Sequence, residues 1–105
     1  MKEKIEGIAF VLDVDPSNIQ IVVDRIQAEE VLTMQDVRQL SMVGFPVINS
    51  LAKVCDKPTS DIMSLIEGGN IDYPIFEKAV NVVYEQFKPA IDDRVQYDDR
   101  EPQQP

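Results

Sequence analysis

The apolar positions of this 105-residue chain fall at helical spacing from one end almost to the other. Ile5, Ile8, Ala9 and Leu12 stand at i, i+3, i+4 and i+7, which predicts a first helix over roughly Lys2 to Asp13, weakened by Gly7. Asp15 and Pro16 then supply a cap and a first-turn proline for a second helix with Ile19, Val22, Val23 and Ile26 inward. Thr33 and Asp36 have the spacing of a reciprocal capping box, opening a third helix whose stripe is Met34, Val37 and Leu40. Gly44 suits the left-handed position just past that helix. Phe45 is expected to drop toward the core and Pro46 to begin a fourth helix with Ile48, Leu51, Ala52 and Cys55 buried.

Asp56-Lys57-Pro58 reads as a break, and Thr59 to Glu67 as a fifth helix with Ile62, Leu65 and Ile66 inward. Gly68-Gly69 closes it, Asp72 caps the last helix, and Pro74 lies in that helix's first turn. Phe76, Ala79, Val80, Val83 and Phe87 carry its core stripe. Pro89 is expected to end or kink it, because proline lacks the N–H of the helical ladder. The pattern therefore predicts an all-α fold: a small bundle of five or six short helices over residues 1–90, with a flexible acidic tail over 91–105 whose last ten positions are disordered. Gly44, Pro46 and Gly69 are the residues expected to fix the corners.

Charge narrows the partners. The net charge is −9. Residues 1–84 hold 13 acidic and 7 basic groups, and residues 85–105 hold 6 and 3, so the acidity is spread along the chain. Phosphate backbones are bound through Lys and Arg with release of counterions, so neither nucleic acid nor an anionic membrane is an expected partner. The apolar run Ile5–Leu12 is short, follows acidic residues and lacks a cleavage pattern, and reads as no signal peptide. A single cysteine, Cys55, excludes an internal disulfide.

Candidate chemistry is sparse, and no enzyme is expected. The chain has no histidine, which removes the commonest general base and every nucleophile system built on one. Cys55 lies on the expected inner face of its helix and reads as a small core residue. Asp13, Asp15, Ser17 and Asp24 loosely follow the spacing of a calcium loop. Asn18 stands where that loop needs glycine, however, and a helix cap accounts for the same residues, so no metal site is expected. Asp92-Asp93 and Asp98-Asp99 read as solvated charge. Gly68-Gly69 has neither the lysine nor the spacing of a phosphate loop, and no cofactor is expected.

Two binding readings remain. Leu51–Asp56, the break, and Ser60–Glu67 imitate a helix-turn-helix of a DNA-binding regulator, but the second helix has no Arg, Lys, Asn or Gln to read bases and begins with Asp61. Met42, Phe45 and Met63 form the alternative: a possible apolar contact surface for a protein partner.

From Val37 to Val83 the sequence resembles the conserved helical domain of tail tape measure proteins of long-tailed bacteriophages. The residues that carry the resemblance are Arg38-Gln39-Leu40-Ser41, Gly44-Phe45-Pro46-Val47, Leu51-Ala52-Lys53, Asp61-Ile62, Gly69-Asn70-Ile71 and Phe76-Glu77-Lys78-Ala79. The chain departs from the family pattern at Asp56, where glycine is frequent, at Pro58, where a serine cap is frequent, and at Asn70, where lysine is frequent. It is also far shorter than the family's members. The resemblance implies a structural role in the virion tail, with assembly in the host cytoplasm. It further implies contacts with tail tube subunits, a tail assembly chaperone and the tail tip, and a part in setting tail length.

Overall fold

A computed structural model describes residues 1–92 in full and continues the backbone of the last helix to Arg100. Six helices follow one another in it: α1 (Lys2–Leu12), α2 (Pro16–Glu29), α3 (Met34–Met42), α4 (Val47–Cys55), α5 (Thr59–Glu67) and α6 (Tyr73–Arg100). The fold class is all-α, as the spacing predicts. Pairing of extended backbone among the described residues is confined to one bridge, Val31 with Asp72, beside which the Leu32 N–H donates to the Ile71 carbonyl at 2.9 Å. That bridge ties the α2–α3 linker to the α5–α6 linker and buries Leu32 and Ile71 beneath it.

Three of the helices, α2, α3 and α6, begin where the sequence supplies a side-chain cap. The Asp15 carboxylate accepts from the Ser17 N–H at 3.0 Å and its hydroxyl at 2.9 Å, with Pro16 at the first helical position of α2. These two bonds hold the Asp15 carboxyl below the usual carboxylate range, the backbone donor being the larger cause. At α3 both halves of the capping box form: Asp36 N–H to Thr33 Oγ1 at 3.2 Å, and Thr33 N–H to Asp36 Oδ2 at 3.0 Å. Asp72 Oδ1 accepts from the Ile75 N–H at the start of α6.

The chain reverses through left-handed corners. At the end of α3, Gly44 (φ 92) donates to the Ser41 carbonyl at 3.0 Å and Phe45 to the Leu40 carbonyl at 2.9 Å. At the end of α5, Gly69 (φ 72) donates to Ile66 at 3.0 Å and Asn70 to Leu65 at 2.8 Å. Both are Schellman closures, in which the last carbonyls of a helix are satisfied by the two amides that follow it. Three more left-handed corners are held by residues with side chains: Asp13 (φ 60), Glu30 (φ 62) and Asp56 (φ 55). Aspartate tolerates this region better than most residues, but Glu30 gains nothing obvious there.

Pro46 differs from expectation by one residue. It is the N-cap of α4 rather than its first residue, with φ −82 and ψ 72. The Val47 N–H donates to the Phe45 carbonyl at 2.9 Å across it, which makes Pro46 the centre of an inverse γ-turn.

One core joins all six helices. α6 is its axis: Phe76, Ala79, Val80 and Val83 are buried there, and α1 and α4 pack against it most extensively. Gly7 allows the α1–α6 approach, since a Cβ at that position would lie 3.0 Å from Ile91 Cδ1 and 3.1 Å from Tyr84 Cε1. α2 adds Ile19, Val22, Val23 and Ile26, as the spacing predicts. α4 is rotated from the predicted face. Val47, Ser50 and Leu51 are buried, while Ile48, Ala52 and Cys55 are half-buried at the edge of the core. Ser50 fits inside because its hydroxyl donates to the Val47 carbonyl at 2.8 Å.

The helix does not end at Pro89. Pro89 and Glu85, the residue whose carbonyl loses its helical donor, are both exposed, and α6 continues to Arg100. The expected acidic tail, with Asp93, Asp98 and Asp99, otherwise lies outside the fully described residues.

Three substitutions test the corners by chemical denaturation. Gly44→Val should cost about 2 kcal/mol or more, because a branched side chain is disfavoured at positive φ and its Cβ would press on Leu12 Cδ2 at 3.2 Å. Gly69→Ala meets nothing within 4 Å and should cost only the backbone term, about 1 kcal/mol. Glu30→Gly should raise stability by about 0.5–1 kcal/mol, since glycine is at ease where Glu30 is held. Asp15→Ala should lower the midpoint of unfolding at neutral pH. The Asp15 carboxyl is depressed in the folded chain, so its contribution is present above the ordinary carboxylate value and disappears as pH falls through the folded value. The wild-type and variant unfolding curves should therefore converge in acid.

Candidate functional site

The residues expected to form an apolar contact surface do not sit together. Phe45 is 1% exposed and stacks on Phe76 with ring centroids 6.5 Å apart. It is a core residue, pulled in by the Schellman closure that directs the residue after Gly44 back onto the bundle, and it is withdrawn from the contact surface. Met42, at the end of α3, is 84% exposed, and Met63, on α5, is 38% exposed.

Met42 has a different companion, which the sequence pattern passes over. Ile21 is 69% exposed on the outer side of α2. It lies outside the stripe Ile19, Val22, Val23, Ile26, and an aliphatic residue on an otherwise polar helix face was the available signal. Ile21 and Met42 line a groove of about 370 Å³ between α2 and α3, with Asn18, Arg25 and Gln39 along it and Val22 and Val43 at its base.

A polar network that includes two of the groove's lining residues, Arg25 and Gln39, joins α2 to α3. Asp36 is 1% exposed, and its Oδ2 accepts from the Thr33 N–H and from the Thr33 hydroxyl at 2.9 Å. Its Oδ1 receives Arg25 through Nε at 2.9 Å and Nη2 at 2.8 Å. Arg25 Nη2 also donates to Gln39 Oε1. One carboxylate therefore caps α3 and pins α2 to it. A buried carboxylate is tolerable only when paired and fully hydrogen-bonded, and among the described residues no buried side-chain polar atom lacks a partner.

The other sequence candidates are placed individually. Cys55 is half-buried against the core at the end of α4. Asp15 is engaged by Ser17 and Asp24 by the Gln20 amide at 2.8 Å, so the loose calcium spacing resolves into two separate local contacts. Among the described residues no three acidic, cysteine or histidine side chains are grouped as a metal site. Tyr73 packs at 6.4 Å from Phe76, and burial, with Glu77 and Asp24 nearby, raises its phenol further above neutrality.

α4 and α5 do form a two-helix unit around the break at Asp56. The exposed side of α5 presents Ser60, Asp61, Met63, Ser64 and Glu67, a surface with two carboxylates and no cation. Among the described residues no helix is long and apolar enough to cross a membrane.

No family model, curated protein or solved structure matches the chain.

Removing the network's two ends should have unequal effects. Asp36→Ala loses its half of the capping box and the link from α3 to Arg25, and should cost about 2–3 kcal/mol. Arg25→Ala leaves Asp36 its Thr33 donors, and because Arg25 is 40% exposed the cost should be nearer 1 kcal/mol. Urea unfolding of the two single variants and the double variant gives the coupling directly.

Proposed function

We propose that this chain is a structural contact module of a bacteriophage tail tape measure protein, acting in tail assembly and length determination through protein–protein contacts and carrying out no catalysis. The observation that carries this reading is the placement of the corners. The resemblance over Val37–Val83 implies helix, Gly-x-Pro corner, helix, break, helix, glycine corner, helix. Gly44 and Gly69 occupy left-handed backbone at the two corners, and Asp56 does so at the break, where glycine is frequent in the family. Leu40, Leu51, Ile62, Ile71, Phe76 and Ala79 from the resembling segments are all buried, so those segments specify one interlocked core. The described residues that face outward carry more acidic than basic side chains, a balance suited to protein contact and unsuited to holding the passing genome.

Tail tube subunits, a tail assembly chaperone and the tail tip are the partners this reading implies, in the virion tail and, during assembly, in the host cytoplasm. The rival, a DNA-binding regulator, lacks support from α5, whose exposed face would set Asp61 and Glu67 against phosphate.

In-frame removal of codons 37–83 from the encoding phage or prophage, followed by electron microscopy of induced particles, tests the proposal. The expected result is tailless heads or tails of altered length. Normal tails would contradict it, and duplex DNA binding at low salt that weakens steeply as salt rises would transfer the chain to the regulator class.

A further inference from the structure

α5 and the turns on either side of it are attached to the molecule in one way only. From residue 58 to residue 70 every residue is exposed except Ile62, Leu65 and Ile66. Ile62 and Ile66 are buried, Leu65 is half-buried, and α5 packs chiefly on α4. Among the described residues no hydrogen bond or ion pair, from backbone or side chain, joins this segment to the rest of the chain. The Ser64 hydroxyl donates to the Ser60 carbonyl, inside α5 itself. Other helices are held differently. α3 is bonded to α2 through Asp36 and Arg25, and α1 to α6 through Lys4 and Asn81.

The two ends of the segment are fastened independently of it. Before it, the Lys57 N–H donates to the Ala52 carbonyl at 3.1 Å and belongs to the closure of α4. After it, Ile71 is buried and its carbonyl accepts from the Leu32 N–H, beside the Val31–Asp72 bridge. The closure of α5, from Gly69 to Ile66 and from Asn70 to Leu65, lies wholly inside the segment. Release of residues 58–70 therefore breaks no hydrogen bond of the other five helices. α5 also starts without a side-chain cap, at Pro58, and its 9 residues are too few to stay helical once undocked. Undocking and melting are one event for it. Local opening of this kind belongs to elements with few buried apolar contacts and exposed backbone hydrogen bonds.

We propose that residues 58–70 form an order–disorder flap. α5 leaves α4 and melts while α1, α2, α3, α4 and α6 stay folded. The open form presents Ile62, Leu65 and Ile66 together with the apolar surface of α4 that they cover. The flap stands apart from the tail reading, and neither depends on the other.

The test is amide hydrogen exchange of the full chain, resolved by residue and repeated at low concentrations of denaturant. The amides of Met63 to Glu67 and of Asn70 should exchange at least about tenfold faster than those of Val80 and Val83 in α6. They should also depend less on denaturant, because their opening exposes less surface. Ile8→Val shortens a buried side chain of α1, which packs on α2 and α6. It should keep the fold and speed exchange in α1 and α6 several-fold. The α5 rates should stay within about twofold of wild type, since the flap opens without disturbing α1. Thiol labelling reads the apolar face directly: Ile62→Cys in a Cys55→Ser background should react at a rate that Ile8→Val does not change. Exchange of α5 at the rate of Val80 and Val83, accelerated equally by Ile8→Val, would overturn the proposal, because α5 would then open only with the whole molecule. So would α4 amides exchanging in step with α5, since the opening unit would then be the pair. Fast α5 amides with the Ile62→Cys thiol unlabelled until global unfolding would overturn it as well, because the helix would then fray in place.

Discussion

Five changes of direction into left-handed backbone are the constraint on which this molecule depends. α3, α4 and α5 are too short to be stable alone. Each is stabilised by burial against α6 or against its neighbour, and that burial requires the chain to turn within a few residues. The left-handed residue that ends a helix does two things together. It satisfies the helix's last carbonyls with the amides that follow, and it points the next residue back to the bundle. Phe45 after Gly44 shows both: its N–H closes α3 on Leu40, and its ring stacks on Phe76. Leu12, the last residue of α1, packs against the same corner, so the turn is also a tertiary contact.

The second organising feature is economy with buried polarity. One carboxylate, Asp36, serves as helix cap, ion-pair partner and anchor between α2 and α3. Three hydrogen bonds and the ion-pair contact with Arg25 make it tolerable in a small core. Its partner Arg25, with Gln39, also lines the groove that Ile21 and Met42 share between the two helices. Local capping chemistry, interhelical geometry and a candidate contact face are thus parts of one arrangement.

Much of the fold was legible in the sequence where a residue type has only one comfortable place. Gly44, Gly69, the Asp15-Pro16 start and the Thr33/Asp36 capping box belong here, as do the stripes of α2 and α6. Legibility failed where two readings share one spacing. On α4, Ile48-Leu51-Ala52-Cys55 and Val47-Ser50-Leu51-Val54 are both complete helical templates offset by a residue, and Ser50 argued for the wrong one until its hydroxyl found the Val47 carbonyl. A break at Asp56-Lys57-Pro58 was legible, but the left-handed backbone at Asp13, Glu30 and Asp56 was not, because nothing local requires a side chain there to accept positive φ; only the surrounding packing does. The groove was half legible. Met42 stood out, but Phe45 was wrongly grouped with it, and Ile21 shares the site only because Asp36 and Arg25, eleven residues apart, bring α2 and α3 together.

Amide hydrogen exchange resolved by residue tests the corner-based architecture most directly. Val14, Phe45, Lys57 and Asn70 each follow a left-handed residue and donate to a carbonyl five positions back, Ala9, Leu40, Ala52 and Leu65 respectively. The account predicts that these four amides are protected to nearly the same degree as the helices they close. Exchange of Phe45 and Asn70 at the rate of an open loop, with the helices still protected, would contradict it.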